Sequence, residues 1–159
     1  MEITYLGGVS IKIKTKTAAV TVSDKITFED SIKIVDGPGE YDIKEVSIIG
    51  VKVDKSIIYI IEAEGLRLLH LGALDHKLSE GQVKDIGNID VCMLSTKSTD
   101  EAVEIVRQIE PTITIPMDNE NVDSFTTAIG SKVEKLAKLS IKSADLAQEE
   151  AHVVILEKK

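Results

Sequence analysis

With 159 residues, the chain matches the size of one domain, residues 1–159, that buries a core without metal or disulfide cross-links. The formal net charge of −8 argues against nucleic acids and anionic membranes as partners, because both are bound mainly through lysine and arginine. Aromatic residues make up only 3% of the sequence, so the core must consist of isoleucine, valine and leucine, a composition that favours β-sheet.

The single cysteine, Cys92, has no partner for an internal disulfide. It lies in the apolar run Asp90–Leu94, which is typical of a buried strand, and we interpret it as a small apolar core residue. The sequence shows no signal peptide, and no apolar run reaches the ~18 residues expected of a membrane span. The expected location is the cytoplasm.

Strands dominate the first half of the chain. Alternation of polar and apolar residues, as in Ser10–Lys14, is the pattern of a half-buried strand. The predicted strands are Ile3–Leu6, Ser10–Lys14, Ala18–Val22, Ser31–Val35, Val46–Val53, Ser56–Glu62 and Leu66–His70. The segment Asp36–Gly39 predicts a turn, because its glycines and proline restrict the backbone to turn conformations.

The second half alternates helices and strands. Ser79 with Gln82, and Ser98 with Glu101, have the spacing of capping boxes, so each pair predicts the start of a helix. Further helices are predicted over Asn121–Ile129 and Lys132–Ala137, and strands over Asp90–Leu94, Thr112–Ile115, Leu139–Lys142 and His152–Leu156. A β-meander followed by β-α-β units predicts a mixed α/β protein built on two sheets or one mixed sheet.

Five segments carry a more specific signal: Ile3–Lys12, Gly37–Ile43, Ile57–His76, Glu110–Met117 and Lys138–Leu146. In this order they resemble the metallo-β-lactamase superfamily, in particular its small ascorbate-lactonase-like branch of Zn-dependent hydrolases. The resemblance spans nearly the whole chain. It implies a metallo-β-lactamase-like αββα sandwich with mixed sheets, here in a shortened form.

That family depends on two cations that activate a water molecule, held by imidazole and carboxylate ligands. The resemblance implies that this chain lacks the ligands. Gly8 stands where a histidine is expected, Val51–Asp54 contains none, Ala73 replaces the metal-bridging aspartate, and Asp118 replaces the last histidine. The expected His-x-His-x-Asp-His loop is replaced by Ser23–Asp30. The loss of all these ligands together is physically consistent, because carboxylates clustered around a site without its cation would destabilise the fold.

A surviving metal site would have to use His70, Asp75, His76 and Asp118, which are the weak candidates for metal ligands. We interpret His70 instead as a buried, hydrogen-bonded histidine at a strand end, and His76 as a partner of a loop carbonyl. His152, at a strand start, is expected to face solvent. Asp118–Asn121 is expected to be a polar loop with an Asx-type helix cap.

The sequence therefore predicts a catalytically inactive metallo-β-lactamase-fold protein that acts by binding or self-assembly, with no catalytic residue and no cofactor. Self-association into a homo-oligomer is expected, because open sheet edges must be covered. One alternative is a divergent metal-dependent hydrolase that holds zinc or another divalent ion in a rebuilt site. Another is a non-catalytic subunit that pairs with an active paralogue.

Overall fold

A computed structural model describes residues 1–30, 33–118 and 120–159. The strands are β1 (Glu2–Gly7), β2 (Ser10–Lys14), β3 (Ala19–Val22), β4 (Ile26–Phe28), β5 (Ile34–Val35), β6 (Gly39–Ile43), β7 (Val46–Val53), β8 (Ser56–Ala63), β9 (Leu66–His70), β10 (Val91–Leu94), β11 (Ile113–Pro116), β12 (Lys132–Leu136), β13 (Leu139–Ser140) and β14 (His152–Leu156). The helices are α1 (Glu80–Ile86), α2 (Thr99–Ile109), α3 (Val122–Ile129) and α4 (Ser143–Leu146).

The strands form two sheets. A six-stranded sheet has the order β13-β1-β2-β3-β4-β5, and its pairs are antiparallel. An eight-stranded sheet has the order β12-β14-β11-β10-β9-β8-β7-β6 and is antiparallel from β6 to β9 and parallel beyond. The first strand pairs with late residues: Ile3 faces Leu139, and Tyr5 forms an isolated parallel bridge with Lys158.

Two hydrophobic cores lie on opposite faces of the eight-stranded sheet. Residues such as Tyr59 and Leu68 pack with the six-stranded sheet, whereas Leu69 and Cys92 pack with the apolar sides of α1, α2 and α3. Because the central strands are buried on both faces, their sequences are continuously apolar, as β10 is throughout. Burial raises the pKa of the Cys92 thiol to about 12, which confirms its interpretation as an apolar core residue.

The predicted mixed α/β architecture on two sheets is confirmed. The strands β2, β7, β9 and β14 have the predicted bounds, and the capping box at Ser79 is formed, with Gln82 N 3.2 Å from Ser79 Oγ. Of the predicted strand over residues 31–35, the first two residues lie outside the described ranges, and the rest is β5. Strands β4 and β6 are additional to those predicted.

Three local predictions are wrong. The segment predicted as a helix over Lys132–Ala137 contains the strand β12, because five in-register pairs with β14 outweigh its helical propensity. Ser98 precedes α2 without a side-chain cap bond, and the Glu101 carboxylate instead accepts a hydrogen bond from Lys77 N at 2.7 Å. Asn121 precedes α3 in a left-handed conformation, and its side-chain amide donates to the Lys97 carbonyl rather than capping the helix.

Gly50, in β7, lies against the turn at Gly37, and a Cβ atom there would be 2.5 Å from the Gly37 carbonyl oxygen. We expect Gly50→Ala to lower the free energy of unfolding by about 2 kcal/mol, because one backbone would have to move away from the other. Urea denaturation measures the change. The matched control is Gly81→Ala in α1, where nothing lies within 4 Å of the added methyl group. Equal stabilities of the two variants would contradict the expectation.

Candidate functional site

His70 lies at the end of β9 and is fully buried. Its Nε2–H donates to the Val9 carbonyl at 2.7 Å, which confirms the interpretation of a hydrogen-bonded histidine. Burial lowers the pKa of His70 to about 4, and the hydrogen bond to Val9 opposes that shift only in part. The ring is therefore neutral near pH 7. Its Nδ1 atom carries a lone pair and has no hydrogen-bond partner in the described part of the chain.

Asp118 follows β11 and is half-buried. Its carboxylate accepts hydrogen bonds from Ser95 Oγ and from the Thr96 backbone N–H, the latter at 3.3 Å. Thr96 Oγ1 lies 3.2 Å from the same carboxylate and 2.7 Å from the Glu120 carbonyl oxygen. The carboxylate of Asp118 is therefore held by the loop that follows β10.

The backbone of Asp118 is tied to the turn between β1 and β2. Its N–H lies 3.1 Å from the Gly8 carbonyl oxygen and 3.0 Å from Tyr5 Oη, which in turn donates to Gly8 at 3.1 Å. Burial and the charge of Asp118 raise the pKa of Tyr5, so the phenol stays protonated and can donate this bond. We name Tyr5, Gly8, Ser95, Thr96 and Asp118 the Asp118 network.

The structure brings two of the four weak metal-ligand candidates to the same turn. His70 bonds to Val9 and Asp118 bonds to the preceding residue, Gly8. Sequence reasoning identified both residues but missed Tyr5, Ser95 and Thr96 as their partners. A sequence signal was available for Ser95 and Thr96, because they are polar residues that directly follow the apolar run of β10.

The other two candidates, Asp75 and His76, lie on the loop after β9, where His76 pairs with Asp54. His76 Nδ1 is 3.0 Å from the Lys77 carbonyl, which confirms a loop-carbonyl partner, and its Nε2 is 2.9 Å from Asp54 Oδ2. The pKa of His76 is raised, first by the Lys77 carbonyl and then by the charges of Asp54 and Asp75. Asp75 itself is exposed, as is Ala73.

The expectation for His152 is wrong, because its side chain is buried rather than solvent-facing. Its Nδ1 lies 2.9 Å from the Glu150 carbonyl oxygen, and its Nε2 lies 3.6 Å from Glu149 Oε2 and 4.0 Å from Glu134 Oε2. These residues line an open cavity of about 470 Å³. The cause is the parallel pairing of β14 with both β11 and β12, which covers the start of β14.

The donor atoms do not fit a two-cation centre. A catalytic zinc ion needs about three protein ligands. Within residues 1–30, 33–118 and 120–159, no group of three or more histidine, cysteine, aspartate or glutamate side chains is arranged to hold a metal ion. His70 offers one enclosed lone pair, and the carboxylate of Asp118 already accepts bonds from the protein.

None of the helices in the described ranges is long and apolar enough to cross a bilayer.

The chain matches a known protein family. A family model described as the β-lactamase superfamily domain matches residues 8–118. This range includes Gly8, the strands β8 and β9 that precede Ala73, and Asp118. A comparison with curated proteins gives no significant match.

Solved structures share the fold. A candidate Zn-dependent hydrolase of the metallo-β-lactamase superfamily from Thermotoga maritima superposes with a TM-score of 0.85 at 23% sequence identity, and the match covers 99% of this chain and 100% of that one. A mutant of the CmlA β-hydroxylase superposes with a TM-score of 0.51 at 10% identity, covering 77% of this chain and 32% of that one. At these identities the similarity shows a common fold.

Proposed function

The chain belongs to the β-lactamase superfamily, and from that premise we propose that it is a metallo-β-lactamase-fold protein without metal-dependent hydrolase activity. In this proposal it acts by binding or self-association. The single observation that carries the proposal is the Asp118 network, in which the carboxylate at the position of the expected last histidine is bonded to Ser95 and Thr96. These bonds occupy acceptor sites of the carboxylate and leave fewer of its lone pairs for a metal ion.

The chemistry of the other ligand positions supports the same proposal. Ala73 and Gly8 have no side-chain donor atoms, and His70 is enclosed and neutral. Hydroxide forms near neutral pH when a cation lowers the pKa of a bound water, and the residues of this site do not offer a cation enough ligands. Proposed binding partners are a second copy of the chain or a paralogous subunit.

One observation favours the alternative of a divergent hydrolase. His70 Nδ1 is a buried nitrogen without a hydrogen-bond partner in the described residues, and such a lone pair can bind a metal ion. The alternative requires Asp118, Asp75 and His76 to turn toward His70. This rearrangement would break the Asp118 network and the pair between His76 and Asp54.

Metal content distinguishes the two functions. We expect tag-free protein, produced with added zinc, manganese and iron, to contain less than ~0.1 equivalent of each by elemental analysis, because a structural site must offer several converging ligands. We also expect a chelator to leave the melting temperature unchanged, since only bound ligand stabilises by mass action. Near-stoichiometric metal that is lost in His70→Gln, together with a chelator-sensitive melting temperature, would establish the alternative.

A further inference from the structure

Each sheet ends in two edge strands, and these four strands differ in length. The edge strands of the six-stranded sheet, β13 and β5, are two residues long, whereas those of the eight-stranded sheet, β12 and β6, are five residues long. An exposed strand edge offers unpaired N–H and C=O groups to another strand. The two longer edges are therefore the ones at which a further strand could add.

One side chain of β12, that of Val133, is unusual for an edge that faces only water. Val133 is 39% exposed, and in the described part of the chain only Ile34 is a more exposed large apolar residue. Val133 is flanked by Lys132 and Glu134, whose Nζ and Oε1 atoms lie 2.7 Å apart. An apolar residue is thus centred between two opposite charges on a strand without proline or glycine.

We propose that β12 is a self-association edge, at which a second copy of this chain pairs antiparallel about a two-fold axis through Val133. In this register Val133 lies opposite its own symmetry mate, and Lys132 of each copy lies opposite Glu134 of the other. Residues directly opposite in an antiparallel pair point to the same face. The charges of Lys132 and Glu134 in the two copies therefore alternate in sign around a square, and each Lys132 has two Glu134 neighbours.

The other long edge does not have this complementarity. Strand β6 carries Glu40 and Asp42 on either side of Tyr41. A two-fold axis through Tyr41 would place Glu40 opposite Asp42, and an axis through either acid would place that acid opposite itself. Like charges directly opposite are destabilising. Charge therefore disfavours self-pairing of β6 in the registers centred on residues 40–42 and favours self-pairing of β12 in the register centred on Val133.

The inference deepens the proposed function, because it names the partner and the surface of self-association. The interface is small, so a weak, reversible dimer of the 17.3 kDa chain is expected. Sedimentation equilibrium from about 10 μM to about 1 mM covers the relevant range of dissociation constants. Wild-type protein that remains a monomer at the highest concentration, or that assembles beyond a dimer, would overturn the proposal.

Charge reversal tests the register. We expect Lys132→Glu and Glu134→Lys each to weaken self-association roughly tenfold or more, because each places like charges opposite one another twice. A mixture of the two variants should regain wild-type dimerisation, since the variant with two acids then faces the variant with two lysines. The mixing experiment also controls for folding, because a misfolded variant would not be rescued by its partner.

The matched control is Glu40→Lys, which makes the same charge change on the opposite edge of the same sheet and should leave dimerisation unchanged. Dimerisation that survives both β12 reversals, or is lost in Glu40→Lys, would overturn the assignment to β12. Metal analysis of the same sample keeps the two proposals separate. A metal-free monomer contradicts only the self-association edge, whereas a dimer with stoichiometric zinc contradicts only the absence of hydrolase chemistry.

Discussion

The free energy of unfolding is expected to fall by about 3 kcal/mol between pH 6.5 and pH 4 because of His70 alone. In the unfolded chain the imidazole takes up a proton as the pH falls through its ordinary pKa of 6.5, whereas in the folded protein burial lowers this pKa to about 4. The unfolded state therefore binds more protons within this window. The contribution is complete above pH 6.5 and is lost as the pH falls toward 4.

The comparison variant is His70→Gln, whose side-chain amide can donate to the Val9 carbonyl but does not titrate in this range. Urea denaturation from pH 7 to pH 4 should show a steeper loss of stability in the wild type than in the variant. Carboxylates whose pKa is lowered in the folded state, such as Glu64, contribute equally to both curves and cancel in the difference. Parallel curves would show that His70 does not have the expected pKa.

Asp118→Ala is expected to lower the free energy of unfolding by about 2–3 kcal/mol. The substitution removes the acceptor for Ser95 Oγ and the Thr96 N–H, and both Ser95 and Thr96 are buried. A buried donor without a partner loses the hydrogen bonds that water provides in the unfolded chain. Asp118→Asn keeps the size and one acceptor oxygen, so its stability should lie between that of the wild type and Asp118→Ala.

The matched control is Asp75→Ala, which removes an exposed carboxylate from the loop after β9 and should change the stability by less than about 0.5 kcal/mol. Urea midpoints of the three variants and the wild type, at one pH, measure the series. If Asp118→Ala and Asp75→Ala were equally stable, the carboxylate of Asp118 would be free, and it could serve a metal ion after all.

Much of the fold could be predicted because the burial of a strand determines the pattern of apolar residues in its sequence. Strands with one buried face alternate, as β2 does, and strands with two buried faces are continuously apolar, as β10 is. The segment of β12 carries neither pattern. Its residues have helical propensity and little burial, and only pairing with β14, twenty residues later along the chain, makes it a strand.

The main residues of the candidate site could be predicted, but not all of their hydrogen-bond partners. His70 and Asp118 are visible because of their residue types and their positions in resembling segments. The partners Tyr5 and Val9 are not, since Tyr5 and Asp118 are 113 residues apart and the bond from His70 ends on the backbone oxygen of Val9. His152 was missed for a related reason, because its burial depends on strands from three different parts of the chain.

The pairing of β1 with β13, and of Tyr5 with Lys158, has a consequence for the order of folding. On the ribosome, the hairpins from β1 to β4 can form early, but the outer strand of their sheet receives its neighbour only after most of the chain has been synthesised. Closing so long a loop is slow, because its entropy is lost before the contacts form. The nascent chain therefore exposes the edge of β1 until β13 has been synthesised, and a chaperone could protect this edge from mispairing during that time.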